Sequence, residues 1–169
     1  MTKGFGMSAI SRKPVLPRIP ALISRTGRVS ALTVATVTAS LLVPGMSSDA
    51  QAATLASKAL KVAASKKGAP YVYGAAGPNR FDCSGLTLYS YKKAGRTLPR
   101  TAAAQYNKTR HLSAGSRKAG DLVFFHSGGS VYHVGIYAGK NQIWHSPKPG
   151  KSVRLERIWT RQVWYGRVN

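Results

Sequence analysis

The chain has 169 residues, of which 26 are Lys or Arg and only four are Asp or Glu, so its formal net charge is +22. This length suits a single domain, and the charge excludes long-range attraction of cationic partners while favouring polyanions. One cysteine excludes an intramolecular disulfide. In an exported protein such a thiol is either paired between molecules or reactive.

Residues 1–52 have the layout of a secretory signal peptide. A long basic lead precedes 15 uncharged residues, Val29 to Val43, and Ala50-Gln51-Ala52 fits the small-x-small cleavage pattern. The uncharged run is shorter than the roughly 20 residues that span a membrane, and an uncleaved anchor is the alternative. We therefore expect export, with cleavage after Ala52 and a single mature domain at residues 53–169.

Basic residues are spread along this expected domain. Residues 53–169 carry 20 Lys and Arg against three carboxylates, a formal charge of +17. The polyanions nearest to an exported protein are cell-wall polymers, acidic lipid headgroups and released nucleic acid. Because the cations form no tract and no pattern with base-stacking aromatics, we interpret them as a wall-binding surface. Specific nucleic-acid recognition is the weaker alternative.

The segment from Pro70 to Gly95 places the cysteine at the start of a predicted helix. Apolar residues follow at helical spacing, two lysines occupy the last turn, and Gly95 is a typical stop. At the first turn, unpaired N–H groups and the helix dipole can lower the pKa of the Cys83 thiol. A lone cysteine is more commonly a buried apolar side chain. However, its polar neighbours Asp82 and Ser84 favour a reactive position.

Around this helix the hydrophobic period changes from helical to two-residue. Residues 53–67 read as a helix, Thr101 as the N-cap of a short helix, and 108–120 as a connecting loop. Five short strands are predicted, at 121–125, 131–138, 142–145, 152–157 and 163–168. Helices followed by antiparallel hairpins predict an α+β domain, with helices packed on one face of a mostly antiparallel sheet of about five strands.

Two histidines lie on neighbouring predicted strands. His133 interrupts the apolar strand VYHVGIY, and His145 repeats this pattern in QIWHS. A hairpin would bring them together as an imidazole base and the group that orients it, beside a cysteine nucleophile. A hydrogen-bonded core histidine is the alternative for His133. We assign His111 and His126 exposed or turn-stabilising positions. No CxxC pair or HExxH motif indicates a zinc site.

Taken in order, PYVYGAAGPNRFDCSGL, LPRTAAAQY, GDLVFF, HVGIYAG and IWHS resemble the NlpC/P60 family of cell-wall cysteine peptidases. The resemblance covers nearly all of residues 53–169. It implies a papain-like α+β core with the nucleophile at a helix start and the histidines on the sheet. The chain departs from the family at Tyr73, where tryptophan is frequent, and in GAAG, where GG is common. The first departure should alter packing more than chemistry, and the second leaves the catalytic positions in place.

The resemblance assigns roles position by position. It implies Cys83 as nucleophile, His133 as base, His145 as the third polar residue, Tyr71 as support for the nucleophile or the oxyanion, Asp82 and Ser84 as residues that shape the site for a stem peptide's amino end, and Arg100 and Gln105 as structural or site-flanking residues.

The resemblance also implies a secreted, wall-associated peptidoglycan endopeptidase. It would hydrolyse stem-peptide amide bonds, usually between D-glutamate and the diamino acid, through a thioester. No metal and no organic cofactor is expected, and we expect a monomer. Two alternatives stay open: a non-catalytic wall-binding protein with the same fold, and the same fold performing amidase or transferase chemistry.

Overall fold

Three helices come first in the computed structural model, which describes residues 48–169, and six strands follow. The elements are α1 Ser48–Ser65, α2 Cys83–Ala94, α3 Ala102–Lys108, β1 Arg110–Leu112, a 3-10 turn Ala114–Ser116, β2 Leu122–Ser127, β3 Ser130–Gly139, β4 Gln142–His145, β5 Arg154–Arg157 and β6 Val163–Arg167. The described residues belong to one compact unit. The basic lead and the uncharged run of the expected signal peptide lie outside them.

Helix α1 begins five residues before the expected start of the domain. Its alanine-rich face is buried at Ala52, Ala56, Ala59 and Ala63, and Ala52 is only 3% exposed. The expected cleavage position after Ala52 therefore falls inside α1. Among the described residues, no helix combines the length and apolar character needed to cross a membrane.

Helix α2 starts at the cysteine, as predicted. The Asp82 side chain caps it by accepting a hydrogen bond from the Gly85 N–H at 2.7 Å. Gly95, with φ of 108°, ends it in the left-handed conformation. Gly85 also admits the preceding loop, because a Cβ there would lie 2.1 Å from the Ala75 carbonyl oxygen. This close contact sets the first turn of α2 against the loop.

Helix α3 secures the start of α2 through one buried amide. Thr101 caps α3, as predicted, by accepting a hydrogen bond from the Ala104 N–H at 3.3 Å. Gln105 is fully buried, and its Nε2 donates to the carbonyl oxygens of Ser84 and Pro99, each at 2.9 Å. The residue after the cysteine is thus tied to α3 by Gln105, for which a structural or site-flanking role was expected.

The sheet is antiparallel throughout, with strand order β1-β6-β2-β3-β4-β5. Five strands match the predicted ones closely. The sixth, β1, lies within residues 108–120, so the prediction of a loop there was wrong for these three residues. Strand β1 exposes Arg110 and His111 and forms by pairing with β6. Its local sequence shows no alternating apolar pattern.

The two faces of the sheet have different roles. Leu122, Phe124, Val134 and Ile136 form a core with Tyr91 of α2 and the alanines of α1. The alternate residues Val123, Phe125, Tyr137 and Ile143 form a second cluster. His133 pairs with Phe125 across the strands, and His145 lies two residues from Ile143. Both histidines therefore share the second face of the sheet.

Candidate active site

The thiol of Cys83 lies where the start of α2 meets β3. Cys83 is the first residue of α2 and packs against the core cluster that contains Val134, the residue that follows His133. Cys83 is partly buried and lines a cavity of about 370 Å³ with His133, His145 and Tyr71. The structure thus brings together the nucleophile and both histidines predicted from the sequence.

The electrostatic environment of this thiol differs from the one expected at a helix N-terminus. Burial raises the pKa of Cys83, the Asp82 carboxylate raises it further, and hydrogen bonds from Val134 and Ser84 only partly oppose them. The expected lowering of the thiol pKa was wrong, because the helix start is buried beside a negative charge. The resting site therefore holds a neutral thiol at neutral pH.

The two histidines are hydrogen-bonded to each other. Nε2 of His133 lies 2.8 Å from Nδ1 of His145. Strand geometry permits this because Gly135 lies beside His145, and a Cβ at Gly135 would be 3.2 Å from the His145 Cβ and closer still to Ile143. Burial lowers the pKa of His133 to about 3 and also lowers that of His145. Both rings are therefore neutral at rest.

A carboxylate that the sequence analysis did not single out ends this chain of hydrogen bonds. Oε2 of Glu156 lies 3.0 Å from Nε2 of His145, and Nε of Arg154 donates to the same oxygen at 2.8 Å. Glu156 lies on β5, one strand beyond His145. Glu156 is one of only four acidic residues in the chain. Its position on a predicted strand that follows the strand of His145 was the sequence signal that could have identified it as a partner of that histidine.

Trp159 is a second residue that the sequence analysis missed. Its ring stacks on Phe125 with centroids 4.0 Å apart, and it lies 5.7 Å and 5.5 Å from the rings of His133 and His145. It also lines the cavity that contains Cys83. Trp159 therefore forms one wall beside the paired imidazoles.

A second cavity of about 430 Å³ opens on the other side of the cysteine. Tyr71, Tyr132 and Cys83 line both cavities, whereas Asp82 and Arg100 line only this one. Cys83 thus lies between two halves of one cleft. This is the arrangement needed to hold the two sides of a scissile bond.

The Asp82 carboxylate in this second cavity is fully engaged within the protein. It accepts hydrogen bonds from the N–H groups of Gly74 and Gly85, the Ser84 hydroxyl and two guanidinium nitrogens of Arg100. Burial raises the pKa of Asp82, but these hydrogen bonds outweigh it and hold the pKa below its ordinary value. Five donors make this carboxylate a clamp on the start of α2.

The two tyrosines of the loop before α2 lie in different environments. Tyr71 is half-buried beside Cys83, and burial together with the nearby Cys83 and Asp82 raises the pKa of its hydroxyl. Tyr73 is 88% exposed and borders the second cavity. With so little of its surface covered, Tyr73 makes little packing contact in this chain.

The remaining histidines have the structural positions assigned to them. His111 stacks on Tyr106 at 4.0 Å, and Nδ1 of His126 lies 2.9 Å from the Gly128 carbonyl oxygen in the β2–β3 turn. Across residues 48–169, no group of three or more His, Cys, Asp or Glu side chains is arranged to hold a metal ion.

Comparison with known sequences identifies several relatives. The chain matches the model of the NlpC/P60 family over residues 68–168. A probable endopeptidase of Corynebacterium glutamicum is 34% identical over 140 residues, which cover 83% of this chain and 66% of the relative. Probable endopeptidase p60 of Listeria monocytogenes is 44% identical over 106 residues, covering 60% of this chain and 22% of that protein. The chain thus spans only part of these relatives.

Solved structures share the arrangement of helices and sheet. The P60 domain of antigen MAP1204 from M. avium subspecies paratuberculosis superposes with a TM-score of 0.62 at 28% identity, covering 69% of this chain and 96% of that one. The NlpC/p60 domain of the peptidoglycan hydrolase SagA gives a TM-score of 0.61 at 34% identity, covering 67% and 98%.

Proposed function

The chain belongs to the NlpC/P60 family of cysteine peptidases, and we propose that it is a secreted peptidoglycan endopeptidase that hydrolyses stem peptides. The observation that carries the proposal is the placement of Cys83 between two halves of a cleft, beside a hydrogen-bonded pair of neutral histidines. A nucleophile, a base and a group that orients the base are the components of covalent acyl transfer. Relatives named as endopeptidases and peptidoglycan hydrolases support the substrate.

In the proposed mechanism, His133 takes the proton of the Cys83 thiol as the sulfur attacks the scissile carbonyl carbon. Because both groups are neutral at rest, the proton moves as the new C–S bond forms. The imidazolium then gives this proton to the departing amine, and a thioester remains. Water, deprotonated by His133, hydrolyses the thioester and restores the thiol.

The oxyanion of each tetrahedral intermediate needs donors that are already in place. Cys83 and Ser84 are the first two residues of α2, and N–H groups at this position have no carbonyl partner within the helix. We propose that a backbone N–H of these first residues of α2 donates a hydrogen bond to the oxyanion, with the Tyr71 hydroxyl as a second donor. One such donor is typically worth about 10²–10³ in rate.

The two cavities suggest how a stem peptide lies in the cleft. We place its amino-terminal half beside Asp82 and Ser84, where the Asp82–Arg100 clamp shapes the wall. The leaving half would then occupy the cavity that contains Lys148 and Arg154. Cations on this side suit the carboxylates of a diamino acid, which favours cleavage between D-glutamate and the diamino acid.

The test is mass spectrometry of purified disaccharide-peptides after incubation with the protein, beside a Cys83→Ala control. We expect fragments cut after D-glutamate with the wild type and intact muropeptides with the variant. Fragments in both reactions, or a cut at another bond, would contradict the assignment of Cys83 or of the bond. Intact muropeptides from both would refute the peptidase proposal, and a thiol that then still reacts with acyl donors would favour amidase or transferase chemistry.

We also propose that the basic surface binds anionic wall polymers. In the described residues, the carboxylates of Asp82, Asp121 and Glu156 each pair with an arginine, and exposed Asp49 lies 3.9 Å from Arg110. Most cations are left unpaired by these few acids. Binding to isolated walls should weaken with salt, because the Debye length falls from about 10 Å at 0.1 M to about 3 Å at 1 M. Sedimentation with walls that does not change with salt would contradict this proposal.

A further inference from the structure

We propose that Glu156 is a positioning residue of the active site: its carboxylate sets the proton positions on both histidines and leaves Nδ1 of His133 free to accept the Cys83 proton. The inference deepens the proposed peptidase function and rests on it. It assigns a role to a side chain that does not touch the thiol and acts only through His145.

The first step is the ionisation state of Glu156. Burial raises the pKa of its carboxyl, but hydrogen bonds from Arg154 and His145 outweigh this and hold the pKa below its ordinary value. At neutral pH the group is therefore a carboxylate, which only accepts hydrogen bonds. Arg154 donates to the same oxygen that faces His145, so the arginine also keeps this oxygen in position.

The second step is the tautomer of His145. Its Nε2 lies 3.0 Å from the Glu156 oxygen, and this contact is a hydrogen bond only if Nε2 carries the hydrogen. A neutral imidazole has a single N–H, and burial keeps the ring neutral by lowering its pKa. Nδ1 of His145 must then be an acceptor.

The third step passes this constraint to the base. Nδ1 of His145 lies 2.8 Å from Nε2 of His133, so Nε2 of His133 must donate its hydrogen. His133 is also neutral, and its other nitrogen, Nδ1, is left with a free lone pair. Two consecutive hydrogen bonds thus link the Glu156 carboxylate to His133. Because the carboxylate can only accept, Nδ1 of His133 remains free to take the thiol proton.

Without an acceptor at residue 156, the histidine pair has a second arrangement. Nδ1 of His145 could carry the hydrogen and donate it to Nε2 of His133, which would move the hydrogen of His133 to Nδ1. In that arrangement the base has no lone pair on Nδ1 for the thiol proton. Both arrangements keep the bond between the rings, so that bond alone cannot select the active one.

The surroundings of Glu156 separate this role from folding. Its side chain is 39% exposed, and surface ion pairs of this kind contribute little to stability. Besides the histidines and Glu156, the titratable or charged side chains around the same cavity are Tyr71, Cys83, Tyr132, Lys148 and Arg154. None of these side chains is a carboxylate, so no other carboxylate that lines the cavity can replace Glu156.

The experiment compares Glu156→Ala and Glu156→Gln with Arg157→Gln as a matched control on the same strand. Side chains alternate between faces along a strand, so residue 157 points away from the histidines. Nitrogen-15 NMR of the histidine rings reports which nitrogen carries the hydrogen, without substrate. Steady-state kinetics on purified muropeptides report kcat and KM.

For the wild type and Arg157→Gln we expect hydrogens on Nε2 of both His133 and His145. For Glu156→Ala we expect a mixture of tautomers and a fall in kcat of roughly tenfold or more, the size typical of a lost hydrogen bond to a charged group, with little change in KM. Glu156→Gln should lie between them, because its amide can either accept or donate.

Unchanged tautomers in Glu156→Ala would overturn the inference, whether or not activity falls. An activity loss accompanied by unfolding would do the same, since it would indicate a structural role. The inference fails separately from the proposed function. A wild-type chain that leaves muropeptides intact refutes the peptidase proposal, while the ring NMR and the rate at which iodoacetamide alkylates Cys83 still test Glu156.

Discussion

Cys83 and His133, the proposed nucleophile and base, are each supported by a carboxylate–arginine pair, but the two pairs lie in different surroundings. Asp82 is 5% exposed and accepts from five donors at the start of α2. The Glu156 side chain, at the rim of the cleft, accepts from only Arg154 and His145. The buried pair holds backbone in place, whereas the pair at the rim acts on the hydrogens of two rings.

Burial accounts for this difference. A buried carboxylate is tolerated only when donors surround it, and the donors that Asp82 collects come from the preceding loop, the first turn of α2 and Arg100. Its removal would leave several of these groups without a partner. The Glu156 side chain is 39% exposed, so water can take the place of the lost carboxylate beside His145 and Arg154. The Asp82–Arg100 pair therefore stabilises the backbone at the start of α2, whereas the Glu156–Arg154 pair determines which histidine nitrogens carry hydrogens.

The largest effect is expected from Asp82→Ala. It removes a helix cap and leaves the N–H groups of Gly74 and Gly85 without their acceptor, so the free energy of unfolding should fall by about 3 kcal/mol. Urea denaturation measures this fall. A loss below about 1 kcal/mol would show that water replaces the carboxylate and that the buried clamp is not structural.

The sign of the pH dependence follows from the lowered pKa of Asp82. The Asp82 carboxylate contributes its full stabilisation above the pKa that an aspartate has in the unfolded chain, about 3.9. This stabilisation is lost as pH falls through the lower pKa that Asp82 has in the folded protein. Wild-type stability should therefore decline in acid, and Asp82→Ala should show a shallower decline over the same range.

The second prediction concerns activity against pH. Cleavage needs a neutral His133 and a protonated Cys83, and burial lowers the pKa of the first to about 3 and raises that of the second. The profile of kcat/KM should therefore be a broad plateau, with its acid limb displaced by at least about one pH unit below the ordinary histidine value of about 6.5. A half-maximal point near 6.5 would mean that burial does not lower the pKa of His133 and that water reaches its ring.

The smallest effect is expected on the stability of Glu156→Ala. Because this pair is exposed, the free energy of unfolding should fall by less than about 1 kcal/mol, although catalysis should suffer. Urea denaturation beside Asp82→Ala gives the direct comparison. Equal decreases in the free energy of unfolding of the two variants would contradict the distinction between a structural Asp82–Arg100 pair and a Glu156–Arg154 pair that acts only on the histidine hydrogens.

Much of the fold could be predicted because its signals are local. The helix that starts at Cys83 has a cap, an apolar stripe and a glycine stop, and the hairpin of β3 and β4 has its turn at Gly139-Lys140-Asn141. Lys140 and Asn141 both adopt left-handed φ values, 50° and 57°. Strand β1 could not be predicted, because two exposed polar residues and one leucine become a strand only by pairing with the backbone of β6.

By itself, the sequence determined the elements that carry Cys83, His133 and His145, because each lies in a segment whose periodicity and turn residues specify its conformation locally. Only the tertiary structure decided three other properties: the raised pKa of the thiol, the clamp at Asp82, and the meeting of Glu156 with His145. All three depend on burial and on neighbours from distant segments. Hydrophobic periodicity predicts which face of a helix or strand is buried, but not which polar side chain from another segment will contact it.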